Sequence, residues 1–333
     1  MYQDPLKFSL IKHHHCRRAK WHDYRSICSY LITVTKNPIV PLFSEVRPIG
    51  KAIGTKLYPS GLAIEEAFRN WKNDYPHIEI HSYVIMPDHV HVIIRVWKYL
   101  DKPLGNYIGS LKGRCTTAYR ILAPFPEDQS LFNPNFNDRI LMYENQLDTW
   151  RDYIADNPRR LWLMRNCSDH FQRFELSLPD HDSLPYYGNP ALLVYPLMIV
   201  VKYDSHGSEA TNAKHREECL RVAANGGVLI SPFIHEFEKR IGKEAYELGG
   251  RFIKIISHPY GRREKPSGSS FDWCAQGIMA YIAKDSVIPY GKENVSRRDC
   301  ERMNALAALV FRTPLSARIV RKDRSWGGGG GGG

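Results

Sequence analysis

His89 and His91 stand two residues apart in the stretch "SYVIMPDHVHVIIRV" (82–96). In an extended chain, residues two apart project to the same side, so the imidazoles share one face while Val90 points the other way. Two neighbouring imidazoles make half of a metal site, and the same pattern also describes two histidines satisfied at a sheet edge. Further on, "WRDYIADNPRRLW" spaces Tyr153 and Asn157 four apart, which on a helix puts phenol and carboxamide on one face. A tyrosine hydroxyl is a possible covalent nucleophile and an amide oxygen a possible third metal ligand. The competing reading of this pair is a core aromatic followed by a helix stop before Pro158.

The elements around these residues follow from periodicity. "SYLITVT" (29–35) reads as a strand, and a loop rich in Pro and Gly follows to Gly61. Leu62, Ile64, Ala67, Phe68 and Trp71 fall at helical spacing before Pro76. "IEIHSYVIM" and "HVHVIIRV" are strands divided by Pro87-Asp88. "LGNYIGSLKGRCTTAYRIL" (104–122) is a helix, "NDRILM" (137–142) a short strand, and "QLDTWRDYIADNP" a helix that Pro158 is expected to stop. Strand, helix, strand, strand, helix, strand is the plan of ferredoxin-like and RRM-like antiparallel sheets. Past about residue 186, apolar strands alternate with helices ending at Gly226-Gly227 and Gly249-Gly250, the pattern of a doubly wound, Rossmann-like α/β domain. The expected organisation is a first domain over 1–165, a polar linker over 166–187, a second domain over 188–326 and a glycine tail over 327–333.

A chain of 333 residues with 43% hydrophobic residues can build two cores and is not a disordered protein. The most apolar central run, "ALLVYPLMIVV", is too short to span a bilayer and contains Pro196, and the first residues carry no leader pattern. The chain is therefore expected to be soluble, cytoplasmic and nucleoid-associated, without a membrane partner. Seven scattered cysteines with no CxxC pair argue against a disulfide framework and against a structural zinc site. The net charge is +11, and residues 1–166 hold 23 basic against 16 acidic side chains, which suits a polyanionic partner or an ordinary basic surface.

"YVIMPDHVHVII" together with "DYIADNPRR" resembles the single-tyrosine HUH transposases, specifically the REP-associated tyrosine transposase branch. The similarity also takes in "YLITVT", "SLKGRCTTAYR" and "NDRIL", and so covers roughly residues 25–165. By position, the resemblance implies that His89, His91 and Asn157 hold a divalent metal, Mg²⁺ or Mn²⁺, and that Tyr153 is the nucleophile. It implies cleavage of single-stranded, hairpin-containing DNA through a 5′-phosphotyrosine with release of a 3′-hydroxyl, reversible without ATP. Tyrosine's ordinary pKa of about 10 means that attack needs a base or a neighbouring cation. Lys112, Arg114 and Arg120, with Arg159 and Arg160, are candidate phosphate contacts, each weighed against a solvated basic face. The "KHHHCRRAK" segment is a DNA-contacting arm or a solvated terminus.

Two departures from that family stand out: the insertion "PLFSEVRPIGKAIGTKLYPSG" and the whole second half. Residues about 190–290 loosely resemble the Rossmann-like DNA-processing (DprA/Smf) proteins, through "GNPALL", "LMIVVKYDS", "NGGVLISPFIHEFEK" and "GGRFIKIIS". Without GxGxxG or a Walker-type lysine loop, no nucleotide cofactor is implied. The rival functions are a non-catalytic binder of single-stranded nucleic acid and a metal-dependent phosphodiesterase in which water replaces Tyr153. An active site within one chain or across a homodimer fits the sequence equally.

Overall fold

The computed structural model describes residues 18–143, 146–179, 181–261, 264–285 and 296–322. Most of the histidine-rich arm (12–17) and the glycine tail (327–333) lie outside them. The chain divides into two compact units, with the boundary between Leu163 and Met164.

The first unit contains β1 (Ser29–Thr35), β2 (Ser44–Ile49), β3 (Ala52–Leu57), α1 (Pro59–Asp74), β4 (Ile78–Ile85), β5 (His89–Val96), α2 (Leu104–Leu122), β6 (Asn137–Ile140) and most of α3 (Gln146–Asn166). Its sheet is antiparallel in the order β4-β5-β1-β6, which is the ferredoxin-like arrangement. Alternate residues of β1 and β5 (Tyr30, Ile32, Val34; Val90, Val92, Ile94) enter one core with α1 and α2. Leu31 and Ile93 point to the opposite face and pack against Ile154 of α3.

Two sequence expectations change here. The loop expected before Gly61 contains an antiparallel hairpin, β2 with β3, because Val46 and the flanking Phe43 have buried sites to fill. Pro158 does not stop α3, which runs eight residues further. An interior proline costs about 3 kcal/mol, and its buried ring and the helix packing around Ile154 offset that here.

The second unit is a three-layer α/β structure with a seven-stranded mixed sheet, ordered β13-β7-β8-β12-β11-β10-β9. Its elements are β7 (Arg173–Ser177), β8 (Leu184–Gly188), β9 (Met198–Val200), α4 (Glu209–Ala224), β10 (Val228–Ser231), α5 (Glu236–Glu247), β11 (Arg251–Ile256), α6 (Ser269–Ala275), β12 (Met279–Ala283), α7 (Arg297–Arg312) and β13 (Ile319–Lys322). The strands β9 to β12 are parallel and lie in chain order. The strands are laid down in one direction across the sheet, and α4, α5 and α6 lie on the same face, where they form one core. The other face is covered by α7 and Leu192-Leu193. Gly226 ends α4 with φ +69°, a conformation open to glycine at little cost. The expected linker over 166–187 is corrected: β7 and most of β8 lie in it and pair into the sheet, with Leu176 and Leu184 buried.

Candidate active site on the sheet face beneath α3

The antiparallel register places Thr33 opposite His91 and Thr35 opposite His89. Both histidines therefore occupy the sheet face that carries Leu31 and Ile93 and packs against α3. A one-residue slip would drive both imidazoles into the main core, so the apolar alternation of β1 and β5 fixes their exposure to the site.

The imidazole centroids are 4.7 Å apart, with the ring planes at 77°. Each Nδ1 is engaged: His91 Nδ1 with Thr33 Oγ1 at 2.8 Å, and His89 Nδ1 with Asp88 Oδ1 at 2.6 Å. A carboxylate accepts only, which places a proton on His89 Nδ1 and, in the neutral tautomer, the lone pair on Nε2. This is the outer-shell pattern that orients metal-binding histidines. Burial, then the neighbouring His89 and Arg139, push the pKa of His91 down to about 3, so this ring is neutral at physiological pH. The hydrogen bond from His89 holds the Asp88 carboxyl below its usual range.

Tyr153 reaches the pair from α3. Its ring meets that of His91 edge-on, with centroids 5.9 Å apart and planes at 62°. The adjacent Ile154 is buried between Leu31 and Ile93 and anchors this turn of the helix, while Tyr153 itself is 42% exposed. Asn157, one turn on, is half-buried, and its Nδ2 donates to the Tyr153 carbonyl at 3.0 Å. Among the described residues, no hydrogen bond joins Asn157 to either imidazole. The contacts thus bring His89, His91 and Tyr153 together within a single chain, with Asn157 joined to them through its helix. Among the described residues no group of three His, Cys, Asp or Glu side chains could hold a metal ion. The two free Nε2 positions suit a divalent metal that takes any further protein ligand from an amide.

The basic residues singled out on α2 require correction. The main core, on the face away from the histidines, receives this helix. Lys112 is buried and donates to the carbonyls of Asn133 and Pro134, the latter at 2.9 Å, and desolvation lowers its pKa. Arg120 holds the 126–129 loop by donating to the carbonyls of Pro126, Glu127 and Gln129 at 3.0, 2.6 and 2.9 Å. Arg114 pairs with Asp74. All three are committed to the fold. On α3, Arg159 pairs with Asp156 at 2.6 Å, and Arg160 is half-buried and not free.

One basic residue to which no motif points does belong to this face. Arg139 on β6 lies opposite Leu31, is exposed, and shows no ion pair or hydrogen bond among the described residues. Its neighbour Asp138 faces the other way, where it accepts from Arg18 and Tyr24 at 2.6 and 2.7 Å. The strand alternation of "NDRI" carried the signal for Arg139, but only once its pairing with β1 is known.

The first unit is thus a ferredoxin-like α+β sheet presenting two histidines and a tyrosine on one face. No family model and no curated protein matches the chain. Among solved structures it is similar to one described as the REP-associated tyrosine transposase bound to a REP hairpin, at 18% identity over 43% of this chain and 74% of that one, with a TM-score of 0.32. A second is a putative transposase from Deinococcus radiodurans, at 14% identity over 40% of this chain and 94% of the other, with a TM-score of 0.26.

Proposed function

We propose that the first unit is a metal-dependent endonuclease and strand transferase for single-stranded DNA, acting on hairpin-containing substrates through Tyr153. The observation that carries this reading is the contact of the exposed Tyr153 ring with His91, whose Nε2 and that of His89 are both left unengaged. A divalent cation, Mg²⁺ or Mn²⁺, held by His89, His91 and Asn157, would supply Lewis acidity to the oxygens of the scissile phosphate.

The chain's own residues account for the remaining steps. Thr33 and Asp88 hold the imidazoles in their ligating orientation. The Tyr153 Oη attacks phosphorus, the bond to the 3′-oxygen breaks, and the products are a 5′-phosphotyrosine and a 3′-hydroxyl. The phenolic proton leaves to solvent or to a base, and the departing 3′-oxygen takes one up in turn. Because the phosphodiester energy is kept in the covalent link, a second 3′-hydroxyl can reverse the step. Arg139, exposed on the same face, takes the role of phosphate-binding cation that the sequence assigned to α2. Mass spectrometry of proteolysed reaction mixtures tests the reading: a nucleotide adduct on the peptide carrying Tyr153 is expected, and an adduct on any other residue overturns it.

A further inference from the structure

The β2–β3 ribbon has no part in the site described above, yet it is rooted beside it. The Phe43 backbone N–H donates to the Pro87 carbonyl at 2.9 Å, and Ser44 Oγ donates to the Ile85 carbonyl at 2.8 Å. Both acceptors lie in the end of β4 and the turn that leads into Asp88 and His89. Burial of Phe43 and Val46 secures this root, whereas residues 47–52 are all exposed. The two strands pair only with each other, and their six residues each extend about 20 Å. Ile49 pairs with Ala52, so Gly50 and Lys51 form a two-residue turn at the tip, where Gly50 takes φ +62° at little cost.

Register sorts the side chains of the ribbon. Residues directly opposite each other share a face. Ser44 and Val46, with their partners Leu57 and Thr55, turn toward the body, and Glu45, Arg47, Ile49 and Lys56 face solvent. Arg47, Lys56 and Lys51 at the tip are exposed and form no ion pair or hydrogen bond among the described residues. The one carboxylate, Glu45, lies opposite Lys56 and accepts from the Tyr58 hydroxyl at 3.5 Å. Three cations against one carboxylate suit a polyanion. From Ser44 to Leu57 there is no aromatic residue, so the ribbon has nothing on which unpaired bases could stack, as they do on single-strand platforms. Nor is there an Asn or Gln, the amides that read adenine edges. These cations are therefore suited to the phosphates of a paired nucleic acid, whose major groove admits a two-stranded ribbon.

We propose that the β2–β3 ribbon holds the paired stem of a DNA hairpin by its phosphates, through Arg47, Lys51 and Lys56, and leaves the unpaired flank to the histidine–tyrosine site. The choice of a DNA hairpin as the polyanion rests on the function proposed above. A ribbon of about 20 Å spans about six base pairs of stem.

The test uses the full chain with a chelator present, so that no strand is cut. Fluorescence anisotropy measures affinity, over a range of salt concentrations, for three DNAs: a stem of about six base pairs with an unpaired flank, the closed stem alone, and the flank alone. The triple substitution Arg47→Gln, Lys51→Gln and Lys56→Gln should weaken binding of both stem-containing DNAs about tenfold or more and reduce the salt slope by about two to three. The flank alone should bind as it does to the wild type, and the melting temperature should not change. Lys51→Gln by itself, at the tip and away from the root, should give a smaller loss in the same direction. Equal affinity of the triple variant and the wild type for the stems would overturn the proposal, as would an equal loss for the flank alone. Adduct formation with Mn²⁺ is scored separately. A wild type that forms no covalent adduct while its stem binding depends on the ribbon would remove the nuclease reading and leave the ribbon's role standing. An adduct together with ribbon-independent stem binding would do the reverse.

Discussion

The Tyr153 ring stands edge-on to the His91 imidazole, 5.9 Å between centroids, although the two residues sit on separate elements, α3 and β5. Ile154 makes this possible. By burying itself between Leu31 and Ile93 it fixes the helix against the sheet, and the preceding residue is left at the solvent edge of the histidine pair.

The outer-shell bond to His91 gives the first prediction. Thr33→Val is nearly isosteric and deletes only the partner of His91 Nδ1. It should lower Mn²⁺ affinity by about 10–100-fold, as loss of such partners typically does, with the fold retained. Calorimetric titration of Mn²⁺ into both proteins reads this directly. Unchanged affinity would mean that the Thr33 hydroxyl does not organise the site.

His91 also makes stability depend on pH. Its folded pKa is about 3 against the ordinary 6.5, so below pH 6.5 the unfolded chain takes up a proton that the native ring refuses. The associated stability is fully present above pH 6.5 and is lost as pH falls toward 3, amounting to about 2 kcal/mol at pH 5. In chelator-treated protein, the melting temperature of His91→Gln should therefore fall less between pH 7 and pH 5 than that of the wild type. Equal falls would contradict the assigned burial.

Lys112 and Arg139 should behave in opposite ways. Lys112→Met leaves the Asn133 and Pro134 carbonyls without their donor and should cost about 1–3 kcal/mol of stability, read by denaturant unfolding. Arg139→Ala touches no bond in the fold, so its stability should stay within about 0.5 kcal/mol of the wild type. It should instead weaken binding of single-stranded DNA and reduce the salt dependence by about one counterion. Normal DNA binding by Arg139→Ala would remove it from the site.

Much of the first unit was legible because its patterns are strong. β1 and α2 have the bounds that their periodicity predicts, and the His-x-His alternation by itself marks a shared strand face. Local chemistry misled where tertiary packing decided the outcome. Arg47-Pro48 and Gly54 obscure the β2–β3 hairpin, and Pro158 reads as a stop within a helix that continues past it. The polar run "SLPDHDSLPYYG" conceals a strand that buries the side chains of Leu184, Tyr186 and Tyr187. Lys112 shows the limit of reading charge without position: it falls four residues after Ile108 and three before Cys115, beside the apolar stripe of its helix, and there its stem is buried. Thr33 and Arg139 were out of reach, because cross-strand register is absent from local sequence.

The central claim is that Tyr153 is the nucleophile, and one experiment addresses it most directly. Labelled single-stranded hairpin DNA is incubated with Mn²⁺ and either the wild type or Tyr153→Phe, and the products are resolved on a denaturing gel. The account predicts a covalent protein–DNA species in the wild type that is missing from the variant, with cleavage lost alongside it. Cleavage that persists in Tyr153→Phe without any covalent species would contradict it and point to water as the nucleophile.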